Sequence, residues 1–207
     1  EWGVGEGTAL SMIDTVPPRG HYSHARVRLR PDGVVVAEVG TAEFGNGTTT
    51  VHAQLVASAL GQDAADVVVR QSDTDLVEHD TGAFGSTGTV VAGKASLAAA
   101  QDLAEAVLKV AAGVAGAAPG DCRLVPGGVD CAGTVLPLTD VARAADDAGI
   151  ALVAEGRWGG TPRSVAFNVH GFRVAVHRGT GELRLLQSVQ AAAAGGVGTP
   201  RPCRGRG

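Results

Sequence analysis

Aromatic side chains make up only 3% of the 207 residues. A core must therefore be assembled from Val, Leu and Ala. Basic residues are also scarce, 17 against 21 acidic ones, giving a net charge of −4 and a pI near 5.8. No basic field is present to hold a phosphate backbone, which argues against nucleic acid as a partner. The cysteines are three, Cys122, Cys131 and Cys203, an odd number unlike a secreted disulfide framework. Cys122 and Cys131 could face each other across a turn at Pro126-Gly127-Gly128, but ordinary reduced thiols are expected. Long apolar runs are missing too. The longest are rich in Ala and Gly and broken by charge, as at Lys109, so no membrane helix is expected. The chain opens at Glu1 without a charged n-region or an apolar h-region, so no targeting signal is expected. A cytoplasmic domain is the working class.

Glycine, by contrast, is plentiful at 31 residues, roughly twice average usage. It follows no G-X-Y period, which excludes collagen. Its abundance in a folded chain implies tight turns, or backbone lying close to a ligand. Hydrophobic residues at 44% and a mean hydropathy of +0.14 argue against disorder. The length suits one large domain or two small ones.

Periodicity supplies the elements. After a Gly-rich entry from Trp2 to Gly7, residues 24–30 alternate, with Ala25, Val27 and Leu29 on one face and Arg26, Arg28 and Arg30 on the other. Pro31-Asp32-Gly33 turns the chain, and Val34 to Val39 returns as the second arm of a hairpin. A helix is predicted over 48–60, with Val51, Leu55, Ala59 and Leu60 as its apolar positions and Gly61 as its stop. A short strand follows at 67–70. The strongest helix is predicted over 92–112, with Leu97, Ala100, Ala104, Val107, Leu108 and Ala111 as its stripe. Short strands are expected at 123–125 and 134–136. Thr139 is the expected N-cap of a helix over 140–148, closed by Gly149. Phe172 to His177 and Glu182 to Val189 form a last hairpin. Helices mixed with hairpins predict an α+β fold, one mixed sheet covered by helices.

Two glycine loops are candidate binding sites. Gly45-Asn46-Gly47 leads into a helix, where unpaired N–H groups welcome an anionic group. It is not a dinucleotide fingerprint, because Thr50 stands where the third glycine belongs. Asp80-Thr81-Gly82 through Gly85-Ser86-Thr87-Gly88 precedes the longest helix and offers N–H and O–H donors. Gly88, Gly93 and Lys94 mimic a P-loop, but Ala95 replaces the Mg²⁺-binding hydroxyl and no strand comes before it. The acidic run Asp73, Asp75, Glu78, His79 and Asp80 lacks EF-hand spacing and reads as a solvated loop. His21 and His24 lack a nearby third ligand. No G-x-S-x-G elbow occurs.

Taken together, Gly40-Thr41-Ala42-Glu43-Phe44-Gly45-Asn46-Gly47-Thr48, Ala53-Gln54, Ser72-Asp73-Thr74-Asp75 and Asp80-Thr81-Gly82 through Val90-Val91-Ala92-Gly93 resemble one superfamily in order and spacing. It is the xanthine dehydrogenase/aldehyde oxidase group of molybdenum hydroxylases, in the second molybdopterin-binding domain of its large subunit. Thr180-Gly181-Glu182-Leu183-Arg184 is similar to that domain's closing strands. The resemblance spans residues 5–205. It implies that Gly45, Asn46, Gly47, Gly85, Ser86, Thr87 and Gly88 contact molybdopterin, commonly as its cytosine dinucleotide. Ser86 matches a cofactor-contacting serine, while Asn46 replaces the family's usual, longer Gln.

The resemblance assigns 1–190 to a molybdopterin-binding domain fragment and 191–207 to a divergent or truncated tail. In that tail Ala193-Ala194-Gly195, Thr199-Pro200 and Gly205-Arg206 stand where the family has Asp-Ala-Gly, Asn-Pro and Gly-Gln. The family's catalytic glutamate lies further downstream, so no catalytic residue is assigned. The implied activity of a whole subunit is hydroxylation of an aldehyde or N-heterocycle with water-derived oxygen. The expected partners are the remaining large-subunit domains and [2Fe-2S] and FAD domains or subunits. The chain alone is expected to be inactive. The alternatives are a non-catalytic molybdopterin-binding module and a non-functional remnant.

Overall fold

The computed structural model describes residues 1–16, 20–160 and 163–193. The chain divides into two compact units, Glu1–Val16 with Arg163–Gly207, and Pro17–Pro162. The tail positions 194–207, including Gly195, Thr199, Pro200, Cys203 and Arg206, lie outside the described residues.

The first unit is a three-stranded antiparallel sheet of β1 (Trp2–Thr15), β9 (Ser164–His177) and β10 (Leu183–Ala193), with β9 in the middle. The final hairpin is therefore present, and longer than its alternating core suggested. The Gly-rich entry, given no element by the sequence, begins a 14-residue strand, paired in unbroken register from Trp2↔His177 to Thr15↔Ser164. Its signal was hidden because nearly every residue is exposed, and a strand without one buried face has no reason to alternate. Leu10, Met12, Phe167, Val169 and Val189 lie exposed on this sheet.

The second unit holds a four-stranded sheet in the order β4 (Val67–Gln71), β3 (Val35–Val39), β2 (Tyr22–Leu29), β8 (Val153–Gly159). Only the β3–β4 pair is parallel. Ala25, Val27 and Leu29 are buried as the alternation required. The arginines on the opposite face also have a purpose. Arg28 binds the carboxylate of Glu38, which is 0% exposed, and Arg26 stands 3.6 Å from it. That pairing makes burial of the charge tolerable.

Helix α1 (Thr48–Leu60) ends at Gly61, in a left-handed conformation at φ +64°. Helix α2 (Gly93–Ala115) continues from a π-helical turn over Gly88–Ala92. Ala100, Ala104, Val107 and Ala111 of the expected stripe are buried, together with Ala99 and Leu103. A fully buried Val or Leu contributes about 1.5–3 kcal/mol. The contact of α2 with β8 depends on Gly156: a Cβ there would stand 2.0 Å from the Ala95 carbonyl oxygen. β8 escaped prediction because its glycines interrupt the alternation.

Three further corrections concern the small elements. The sheet is not single, since β5 (Cys122–Val125), β6 (Gly128–Cys131) and β7 (Thr134–Pro137) form a separate antiparallel sheet. Cys122 and Cys131 lie opposite each other with Cα atoms 4.1 Å apart and are joined by a disulfide, not held as reduced thiols. Closing so short a loop is worth about 2–3 kcal/mol. Helix α3 (Leu138–Asp147) starts before Thr139, with Pro137 at its N-cap position. Leu138 is drawn into the core, and its N–H is taken by the Gly127 carbonyl at 3.0 Å, so no threonine cap is needed. No helix among the described residues is long and apolar enough to cross a membrane.

Candidate functional site

The two glycine loops, separated in sequence, are held side by side in the second unit. The first leaves β3 and enters α1; the second leaves the acidic run and enters the π-helical turn. A Cβ added to Gly88 would stand 3.5 Å from the Thr48 methyl and 3.6 Å from the Thr41 methyl. The second loop therefore packs directly on the first.

Asp80 is the joint. Its Oδ2 accepts from Ser23 Oγ at 2.6 Å and from Thr41 Oγ1 at 3.0 Å, while Oδ1 accepts from the Gly82 N–H at 2.8 Å. The last of these is an Asx-turn. Gly40 must be glycine to allow this approach, because a Cβ there would stand 2.3 Å from Asp80 Cβ. Gln71 completes the frame by donating to the Thr41 carbonyl at 2.7 Å.

In the first loop the helix N-terminus already holds an anion, the carboxylate of Glu43. It accepts from the N–H groups of Gly45 at 2.7 Å, Gly47 at 3.1 Å and Thr49 at 3.1 Å. The donors of Thr49 and Gly47, then Gly45, outweigh desolvation and hold its pKa down at about 2, against an ordinary 4.5. Asn46 is also turned inward. Its Oδ1 accepts from Thr48 N at 3.3 Å and Thr48 Oγ1 at 3.1 Å, and its Nδ2 donates to the Ala42 carbonyl at 3.4 Å. Glycine at 45 and 47 permits φ of +94° and +80°.

The second loop is open in a different way. Gly85 and Ser86 adopt left-handed φ of +68° and +58° in succession, and both are exposed. A serine rarely takes that conformation. Its hydroxyl makes no hydrogen bond among the described residues, so it is available at the surface. Thr87 is fully buried instead. It receives His21 Nε2 at 2.8 Å and donates to the Phe84 carbonyl at 2.9 Å. His21 Nε2 also reaches the Gly82 carbonyl at 2.9 Å. Thr87 and Gly88 thus shape the loop, while Gly85 and Ser86 form its outer surface.

Each loop also exposes a phenylalanine, Phe44 at 70% and Phe84 at 57%. The sequence does not mark either as a site residue, although each directly precedes a loop glycine, Gly45 or Gly85. Glu43 and Asp80 were in view only as members of longer motifs. An acid just ahead of a helix start was the available signal for the first, and the Asp-Thr-Gly turn for the second.

The remaining motifs are absorbed by packing. The P-loop look-alike is the π-helical turn itself, with Val91 and Ala92 buried. In the acidic run Val77 is buried, and His24 Nδ1 meets Glu78 at 2.9 Å. His21 and His24 therefore serve different partners. On the second turn of α1, His52 is fully buried where the apolar stripe was expected to lie one position away. Val51, Leu55 and Ala59 are only half-buried.

This architecture recurs in known proteins. The chain is 31% identical to probable hypoxanthine oxidase XdhD of Escherichia coli (strain K12) over 188 residues, which is 89% of this chain and 20% of that protein. It is 27% identical to the 6-hydroxypseudooxynicotine dehydrogenase complex subunit gamma of Paenarthrobacter nicotinovorans, covering 97% of this chain and 26% of that one. Quinoline 2-oxidoreductase from Pseudomonas putida 86 superposes with a TM-score of 0.83 at 25% identity, covering 99% of this chain and 29% of the other. The chain thus spans less than a third of each of these relatives. The molybdopterin cofactor-binding domain model matches residues 2–206. With that match over almost its whole length, the chain belongs to the molybdopterin cofactor-binding domain family, the domain carried by molybdenum hydroxylases.

Proposed function

We propose that this chain is one cofactor-cradling segment of a larger molybdenum hydroxylase that oxidises aldehydes or N-heterocycles with water-derived oxygen. The observation that carries the reading is the Gly85–Ser86 turn. It is exposed, left-handed at two successive residues, and flanked by the Thr87 bond to the Phe84 carbonyl and the Asp80 bond from the Gly82 N–H. A pterin with polar edges and a phosphate arm suits a turn that offers a free hydroxyl and main-chain groups without intervening side chains. The fit is different at Gly45-Asn46-Gly47. There the N–H donors are satisfied by Glu43, so contact falls to the exposed main-chain face of Gly45. Asn46, Gly47, Thr87 and Gly88 act by holding the two turns in shape.

Bound molybdopterin would supply the two-electron oxidation chemistry. This chain's own residues bind and orient it, and none of them is assigned a proton-transfer role. The cytosine dinucleotide form is the proposed cofactor, with [2Fe-2S] and FAD on other domains or subunits. Residues 1–190 are the proposed binding segment. The exposed apolar side chains of β1, β9 and β10 favour a segment completed by the remaining large-subunit domains, because a surface of that kind marks an interaction site. A cytoplasmic location is proposed with it.

Equilibrium dialysis of the 207-residue chain against molybdopterin tests the reading. Retention at micromolar concentration is expected. Absence of retention at millimolar concentration contradicts it.

A further inference from the structure

His52 sits on α1 five residues after Gly47, and Ser96 lies in the first turn of α2, eight residues after Gly88. Both side chains are 0% exposed. His52 Nδ1 and Ser96 Oγ are 2.8 Å apart, and Ser96 Oγ donates to the Ala92 carbonyl at 3.1 Å. The serine proton is thereby committed to Ala92, so the imidazole must donate through Nδ1–H. Nε2 is then a bare acceptor, buried and without a partner among the described residues. The opposite tautomer would bury an unpaired N–H, which proteins avoid more strictly.

The chain of bonds runs from α1, through His52 and Ser96, to Ala92, the last residue of the π-helical turn. That turn closes the second glycine loop, and α1 opens from the first. We propose that His52 and Ser96 are a positioning pair that sets the spacing between the Gly45–Gly47 and Gly85–Gly88 loops, and hence the width of the site that receives the pterin. The inference rests on the cofactor reading above.

Three features argue for positioning over plain packing. A buried imidazole on the face of α1 that also buries Ala53, Val56, Ala57 and Leu60 is a costly choice unless its hydrogen bond has a use. Aliphatic side chains of similar volume would fill the same space. The bond also spans the two helices that begin at the glycine loops, whereas α3 has no such link among the described residues. Outward of the pair, Gly88 faces the methyl groups of Thr48 and Thr41, close enough that an added Cβ would be in van der Waals contact with both, so the spacing is limited from two directions. Removing the inner fixation leaves the outer contact free to slide.

The test uses the full chain with molybdopterin as the probe, in His52→Met, Ser96→Ala, the double variant and His52→Asn. The shorter amide of the His52→Asn variant would place an N–H near the position of Nδ1. Each single variant should weaken binding about tenfold, the double variant should be no worse than either single one, and His52→Asn should recover binding to within about threefold. Unchanged binding with only a lowered melting midpoint, or additive losses without rescue by His52→Asn, overturns the proposal. If the wild-type chain retains no molybdopterin, the cofactor reading fails, and amide exchange judges the pair by itself. Ser96→Ala should then speed exchange about tenfold at both glycine loops and leave the β5–β7 sheet unchanged. Faster exchange confined to α2 overturns it.

Discussion

Thr41 donates its hydroxyl proton to Asp80 across 39 residues of sequence, at 3.0 Å, and so ties the end of β3 to the start of the second glycine loop. The bond is buried on the Thr41 side, which is 1% exposed. Thr41→Val should destabilise the chain by about 2 kcal/mol, because it removes a hydrogen bond to a charged acceptor. Asp80→Ala should cost about 3 kcal/mol, since it strands two hydroxyls and an N–H. Urea unfolding of both single variants and the double variant checks this. Strictly additive losses would show that the two groups do not act together.

Glu43 gives a second prediction, from acid titration. Its pKa in the folded chain is about 2, below the ordinary 4.5. A carboxylate shifted down stabilises the fold above its ordinary pKa, and that contribution disappears as pH falls from 4.5 through about 2. Carboxyl carbon resonances followed by NMR should give a midpoint near 2 for Glu43. A midpoint near 4.5 would mean that its three main-chain donors are not engaged in solution. Glu43→Gln should remove the titration and loosen the turn at Gly45 and Gly47.

His52 titrates in the other accessible window. Burial lowers its pKa from 6.5 to about 4, with the charge of Asp80 opposing in part. Between these values the unfolded chain binds the extra proton, so stability is full above pH 6.5 and falls as pH drops toward 4. The whole change is about 3 kcal/mol. His52→Asn should flatten this part of the stability–pH curve. An unchanged slope would place its origin in another group.

Two glycines separate close contact from simple flexibility. Gly156→Ala drives a methyl group into the Ala95 carbonyl and should destabilise by about 3 kcal/mol. Gly113→Ala meets nothing within 4 Å on α2 and should stabilise by about 0.5–1 kcal/mol. Thermal unfolding distinguishes them by sign.

What could be read from the sequence followed from burial and from glycine. The strand with its arginine face is legible from its one buried face, the 48–60 helix from its glycine stop, and the last hairpin from the glycine turn at 178–181 that joins two exposed strands. β1 was illegible because its two faces are alike, and β8 because Gly156 serves a helix contact and not an alternation. The turn at Pro126-Gly127-Gly128 allows Cys122 and Cys131 to face each other, and an odd number of cysteines does not preclude one bridge. At the site, the two loops could be located from their glycines. The occupant of the first could not, because only coordinates show that Glu43 turns back onto Gly45, Gly47 and Thr49. The buried His52 on α1 is not legible for a similar reason, since nothing local pairs it with a serine 44 positions away.

The most direct measurement is the melting midpoint of the chain with and without molybdopterin, in the wild type and in Ser86→Asp. Asp tolerates the left-handed backbone at 86, so the variant should fold while setting a negative charge against an anionic ligand. At a ligand concentration of about 100 Kd the wild type should gain about 2.7 kcal/mol, with a raised midpoint, and Ser86→Asp should gain almost nothing. Equal shifts in both proteins would contradict the assignment of the Gly85–Ser86 turn as the cofactor contact. No shift in either would contradict cofactor binding by this chain.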